Sequence, residues 1–119
     1  MIRDFDLIRK LLLAVEAAPP GVRPIRLTCP DGYDEAVVDA HLALLIEADL
    51  LDGRVQKFLS GKRNITVFDL TWEGHDFLDI ARPDTLWARA KQITKEKSLP
   101  LTLEVLKEVL KGVAQGLLS

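Results

Sequence analysis

Residues 38–51 read VDAHLALLIEADLL, and whether this stretch is a helix with one buried side decides how the whole chain is read. Val38, Leu42, Leu45 and Ala48 recur at intervals of three and four, which places them on one face of an α-helix. Asp34 is a favoured N-cap type, and Asp34 with Glu35 suits the positive end of a helix dipole. The spacing therefore predicts a helix from about Asp34 to about Asp49. Asp39, Glu47 and Asp49 charge this stretch, and it contains no lysine or arginine.

Two extended runs follow, about Leu51–Leu59 and Ile65–Thr71, joined by the loop-type composition SGKRN. Thr66, Phe68 and Leu70 alternate with Ile65, Val67 and Asp69, as in a half-buried strand. On the N-terminal side, Phe5, Ile8, Leu12 and Val15 predict a first helix over about Asp4–Ala18, stopped by Pro19, Pro20 and Gly21. Ile25–Thr28 reads as a short strand ended by Pro30, Asp31 and Gly32, and such a strand needs a partner later in the chain. Beyond Thr71 three helices are predicted, over about Trp72–Ala81, Asp84–Lys97 and Pro100–Leu118. The expected class is α+β, mainly helical. A winged-helix-like domain over 1–81, ordered helix–strand–helix–strand–wing–strand, precedes a C-terminal helical extension over 82–119 that packs on it or makes a dimer contact.

Hydrophobic residues make up 48% of the 119 and charged residues 29%, enough apolar material for a core and unlike a disordered tail. A formal net charge of -2 excludes a strongly basic binder of the histone kind and leaves room for a local basic patch. Cys29 is the only cysteine, so neither an internal disulfide nor a Cys-x-x-Cys pair is available, which points to a reducing, cytoplasmic compartment. Asp4, Asp6, Arg9, Lys10 and Glu16 interrupt the apolar run near the N-terminus, so neither a signal peptide nor a membrane anchor is expected there.

Val38, His41, Leu42, Leu45, Glu47, Ala48, Leu50 and Leu51, with Leu70, Thr71 and Gly74 as a closing LT-x-x-G, form a pattern similar to the recognition helix and wing of ArsR-type and PadR-type repressors. Over nearly the whole chain, RDFDLIRKLLLAVE, GYDEAVVDAHLALLIEADLL, LTWEGHDFLDIARPDTLWARAK and LPLTLEVLKEVLK resemble a family of small bacterial and phage-borne proteins of unknown function, akin to the YjcQ-like winged-helix proteins. The resemblance implies a winged-helix fold and a prophage or mobile-element setting, with no established activity to carry over.

Two departures from the repressor pattern bear on function. Asp39 and Ala40 stand where such repressors place Ser, Thr, Arg or Gln, and Ile46 fills a third typically polar position; a carboxylate facing a phosphate backbone is repelled. Thr28 to Asp34 also leaves little room for the helix that precedes a recognition helix, so the helix-turn-helix reads as shortened or missing. Basic charge is found on the predicted wing instead, where Arg54, Lys57, Lys62 and Arg63 face only Asp52. These four are read either as contacts to phosphates or the minor groove, or as cations that keep a solvated hairpin from edge aggregation.

Catalytic and metal chemistry is not expected. His41 and His75 are the only histidines, no HExxH or cysteine pair is present, and neither a metal nor a cofactor is predicted. His41 is read as a helix-packing or surface residue, and Cys29 as a small buried apolar residue with no base brought to it by spacing. Ser60-Gly61-Lys62 lacks the preceding glycine of a phosphate loop and reads as a turn. Trp72 and Trp87 lie among apolar helix positions and are read as packing rather than as partner anchors. In the last helix Leu99, Leu103, Leu106, Leu110, Val113 and Leu117 recur at intervals of four and three, a coiled-coil type seam. That seam is expected to dock on the first helix or to pair with a second copy.

Two functions are therefore expected in competition. One is a non-enzymatic regulator or accessory DNA-binding protein using Arg54, Lys57, Lys62 and Arg63. The other is a protein-interaction module in which Asp39 and an exposed Ile46 engage a basic partner. No membrane partner is expected under either.

Overall fold

The computed structural model describes residues 1–116. Five helices and two strands follow in the order α1 (Phe5–Ala17), α2 (Glu35–Glu47), β1 (Leu51–Lys57), β2 (Arg63–Leu70), α3 (Trp72–Ala81), α4 (Asp84–Glu96) and α5 (Leu103–Ala114). The class is α+β, with about half of the chain helical. The chain divides into one compact unit over Met1–His75 and a second from Asp76 onward, so the change-over falls within α3.

In the first unit, α1 starts where Asp4 Oδ1 accepts from Leu7 N–H at 3.1 Å and stops ahead of Pro19. Leu7, Leu11, Leu12 and Val15 are buried along one face of it. From α2 the buried face is Val38, His41, Leu42 and Leu45. The end of α2 is a Schellman motif: Leu50 N–H donates to Leu45 O at 3.0 Å and Asp49 N–H to Ile46 O at 3.1 Å, with Asp49 at φ 63. Aspartate tolerates this left-handed conformation better than most residues do. Asp49 is thus the stop of α2, and the leucine pair Leu50–Leu51 turns directly into the hairpin as buried core.

Strands β1 and β2 pair antiparallel, from Leu51 opposite Leu70 to Lys57 opposite Arg63, with a bulge between Asp52 and Gly53. The expected strand over Ile25–Thr28 is corrected to a single bridge, in which Ile25 N–H donates to Val67 O at 2.8 Å. Pro24 has no N–H to extend the ladder backward, and beyond Ile25 the run turns outward, with Arg26 and Thr28 exposed. The sheet therefore has two strands rather than three, and residues 18–34 contain no helix between α1 and α2.

The second unit packs α5 on α4. Phe77 and Trp87 meet edge to face at 6.4 Å, and the buried Thr94 hydroxyl donates to Ala90 O at 2.8 Å within α4. Helix α5 begins at Leu103 rather than at Pro100 because Thr102 caps it, its Oγ1 accepting from Val105 N–H at 3.2 Å. Leu106, Val109 and Leu110 are buried along it.

Candidate functional site

The features shared with the repressor pattern have structural tasks. His41 is fully buried; its Nε2 accepts from Asp4 N–H at 2.9 Å, and its Nδ1 donates to Val37 O at 2.8 Å. A backbone N–H on one ring nitrogen and a carbonyl on the other assign the Nδ1–H tautomer. His41 thereby ties the start of α1 to α2. Thr71 acts as a second tie: its hydroxyl donates to Asp49 O and accepts from Gly74 N–H at 3.0 Å, while its own N–H donates to Leu50 O at 3.1 Å. Gly74 is needed because a Cβ there would lie 2.1 Å from Leu50 O. The LT-x-x-G signature is thus a joint between the end of α2 and the start of α3.

On α2, Asp39 and Glu47 are exposed, and Asp39 adds its charge to those of Asp31, Asp34 and Glu35 around Cys29. The expected exposed Ile46 is corrected: it is half-buried and lies over Gly53, where a Cβ would come within 2.7 Å of Ile46 Cδ1 and 2.5 Å of Thr66 O. Ile46 is packing between α2 and β1, and the outer side of α2 keeps carboxylates without an apolar anchor.

The register sorts the four basic wing residues. Lys57 stands opposite Arg63, on the same side of the ribbon as the half-buried pair Val55 and Ile65 but beyond the core. Arg54 pairs with Thr66 and projects from the other side, because side chains alternate along a strand. Lys62 lies in the turn. All four are exposed, and none has an ion-pair partner among the described residues. The tip is a defined turn: Phe58 N–H donates to Lys62 O at 2.9 Å, Gly61 N–H to Phe58 O at 3.0 Å, and Gly61 takes φ +85. This is the hairpin loop of three residues closed by a left-handed glycine. At the other end of the hairpin Asp52 stands opposite Asp69, whose Oδ2 holds Arg23 Nη2 at 3.0 Å. That hydrogen bond, helped by Leu70 N–H, holds the Asp69 carboxyl below its ordinary pKa. The ribbon is consequently acidic at its base and basic at its tip.

Sequence reasoning passed over Phe58 and Leu59, which crown that tip. Phe58 is half exposed and Leu59 fully so, at 49% and 111%. The available signal was an apolar pair in KFLSGKR, where a turn ordinarily carries polar residues. Trp72 is also corrected: it is 79% exposed at the start of α3, whereas Trp87 is buried.

The remaining candidates do not converge on a reactive centre. The Cys29 thiol donates to Tyr33 O at 3.1 Å, and burial first, then the carboxylates of Glu35, Asp34, Asp39 and Asp31, push its pKa up. That disfavours the nucleophilic thiolate. Among the described residues no three His, Cys, Asp or Glu side chains gather as a metal set, and no helix is long and apolar enough to cross a membrane. In α5, Leu106 and Leu110 are fully buried within the chain and Leu103 and Val113 half-buried, while Leu117 lies outside the described residues. Leu106 and Leu110 are thus spent on the chain's own packing, while Leu103 and Val113 keep part of their surface.

These features define a small α+β protein whose basic hairpin projects from a tightly tied frame. The chain belongs to a family of hypothetical proteins, DUF2513, which matches residues 2–100. An uncharacterized protein of Haemophilus influenzae is 33% identical to it over 119 residues, the full length of both chains. No solved structure matches the chain.

Proposed function

We propose that this protein is a non-enzymatic DNA-binding module on a winged-helix-like frame, a small regulator or accessory factor that grips the duplex backbone through its hairpin and not through α2. The observation that carries this reading is the cluster of Lys57, Lys62 and Arg63 at the tip. These three exposed cations lack acidic partners among the described residues, and two of them face each other across the ladder. Like charges directly opposite on a ribbon are destabilising, and neighbouring phosphates would relieve that repulsion. The outer carboxylates of α2 support the same assignment from the other side, because Asp39 and Glu47 would be repelled in a major groove.

The test is a fluorescence-anisotropy titration of mixed-sequence duplex DNA at low salt. Wild type should bind, and the Lys57→Ala, Lys62→Ala, Arg63→Ala triple variant should bind far more weakly. Absence of binding by wild type would refute the proposal. A protein-interaction role for the acidic side of α2 remains the rival, and recovery of a basic protein partner that Asp39→Lys abolishes would favour it.

A further inference from the structure

The apex of the hairpin carries a group that phosphate binding does not use. Leu59 follows Phe58 in the β-turn closed by Gly61 and buries none of its surface in the chain. A turn of this kind is formed by its glycine and its two hydrogen bonds, so nothing in the fold asks for leucine at this place. Leu59 is held on a short, hydrogen-bonded loop, with Phe58 beside it and the three cations Lys57, Lys62 and Arg63 within a few residues on both strands.

An apolar side chain leading from the end of a narrow ribbon, flanked by cations on both sides, has the make-up of a wedge. Minor-groove proteins use such wedges to part a base step while cations hold the phosphates alongside. We infer that Leu59 is an intercalating wedge that enters from the minor groove, with Phe58 covering the exposed base face, and that the preferred ligand is duplex DNA whose stacking is already weakened by a mismatch, a bulge or a flexible pyrimidine–purine step. This inference rests on the reading of the tip as a DNA contact. Parting a stacked step is unfavourable, so a duplex that is already unstacked binds better, and the preference comes from deformability rather than base-edge hydrogen bonds. The acidic outer side of α2 is compatible with recognition of this kind, because no major-groove reader is required.

The experiment compares wild type with Leu59→Ser and Leu59→Met, as full chains, on perfect and single-mismatch duplexes carrying 2-aminopurine beside the weakened step. Both variants should melt with wild type, since the side chain buries nothing. Wild type and Leu59→Met should raise the 2-aminopurine signal and prefer the mismatch. Leu59→Ser should lose the signal and the preference, with affinity for the mismatch falling by roughly tenfold or more, the worth of burying one leucine, and with an unchanged salt dependence. If Leu59→Ser keeps the signal and the preference, the wedge is overturned while DNA binding by the tip stands. If wild type binds neither duplex, both readings fall; Leu59-dependent binding to phosphatidylglycerol vesicles in that case would assign the tip to an anionic membrane surface.

Discussion

At the base of the hairpin and in the frame behind it, the buried polar groups have partners. Thr71 bonds to Asp49, Leu50 and Gly74 at once, His41 uses both ring nitrogens, Asp69 holds Arg23, and no buried side-chain nitrogen or oxygen among the described residues lacks a partner. At the tip, roughly 20 Å away along the strands, the side chains of Lys57, Lys62, Arg63 and Leu59 stand in solvent with no ion-pair or hydrogen-bond partner among the described residues. The base is built from residues whose chemistry serves folding. The tip keeps residues that folding does not need, and that contrast locates the site. If it holds, substitutions at the base should act on stability alone and substitutions at the tip on binding alone.

The largest effect is expected from His41→Ala. It leaves Asp4 N–H without its acceptor and opens a cavity among buried leucines, so chemical denaturation should show a loss of about 3 kcal/mol. Gly74→Ala comes next. Its Cβ would sit 2.1 Å from Leu50 O, and separating backbone from backbone should cost about 2 kcal/mol, read as a lowered melting temperature. Normal stability in either variant would break the account of the base as a tied joint.

A smaller effect comes from Arg23→Gln. The folded pKa of Asp69 is lowered, chiefly by its hydrogen bond to Arg23, so the pair contributes stability that is present above the unfolded aspartate pKa and lost as pH falls through the folded value. Both partners are substantially exposed, with side-chain accessibilities of 29% and 49%, so screening keeps the contribution small. The difference between wild type and variant should be about 0.5 kcal/mol or less at pH 7, should begin to shrink near pH 4, about the ordinary aspartate pKa, and should be lost as pH falls on through the lower folded value. Denaturation curves at pH 7 and pH 3 measure it.

Much of this frame was legible in the sequence, and the reasons differ by element. Prolines marked two helix boundaries, Pro19 just past the end of α1 and Pro83 just before α4, whereas the start of α5 was read at Pro100 and is set instead by the Thr102 cap. The extent of β structure at Ile25 was not legible: the run Ile25–Thr28 reads as a strand, but it pairs through one bridge alone, to Val67 far along the chain. In the sequence Asp49 stands only as an acid near the predicted end of the helix, yet it is the left-handed residue that ends α2, a role fixed by φ rather than by charge. At the site, the basic residues could be named from composition. Their grouping could not, because the register set by the turn brings Lys57 opposite Arg63, while alternation along β1 turns Arg54 to the other side.

The claim that the tip grips DNA through Lys57, Lys62 and Arg63 is tested most directly by the salt dependence of duplex binding. Each phosphate neutralised contributes about −0.9 to the slope of log affinity against log salt, so three contacts should give the wild-type slope a share of about −2.7. The triple alanine variant should lose that share and bind far more weakly, while melting no lower than wild type. Equal slopes and equal affinities for the two proteins would contradict the account.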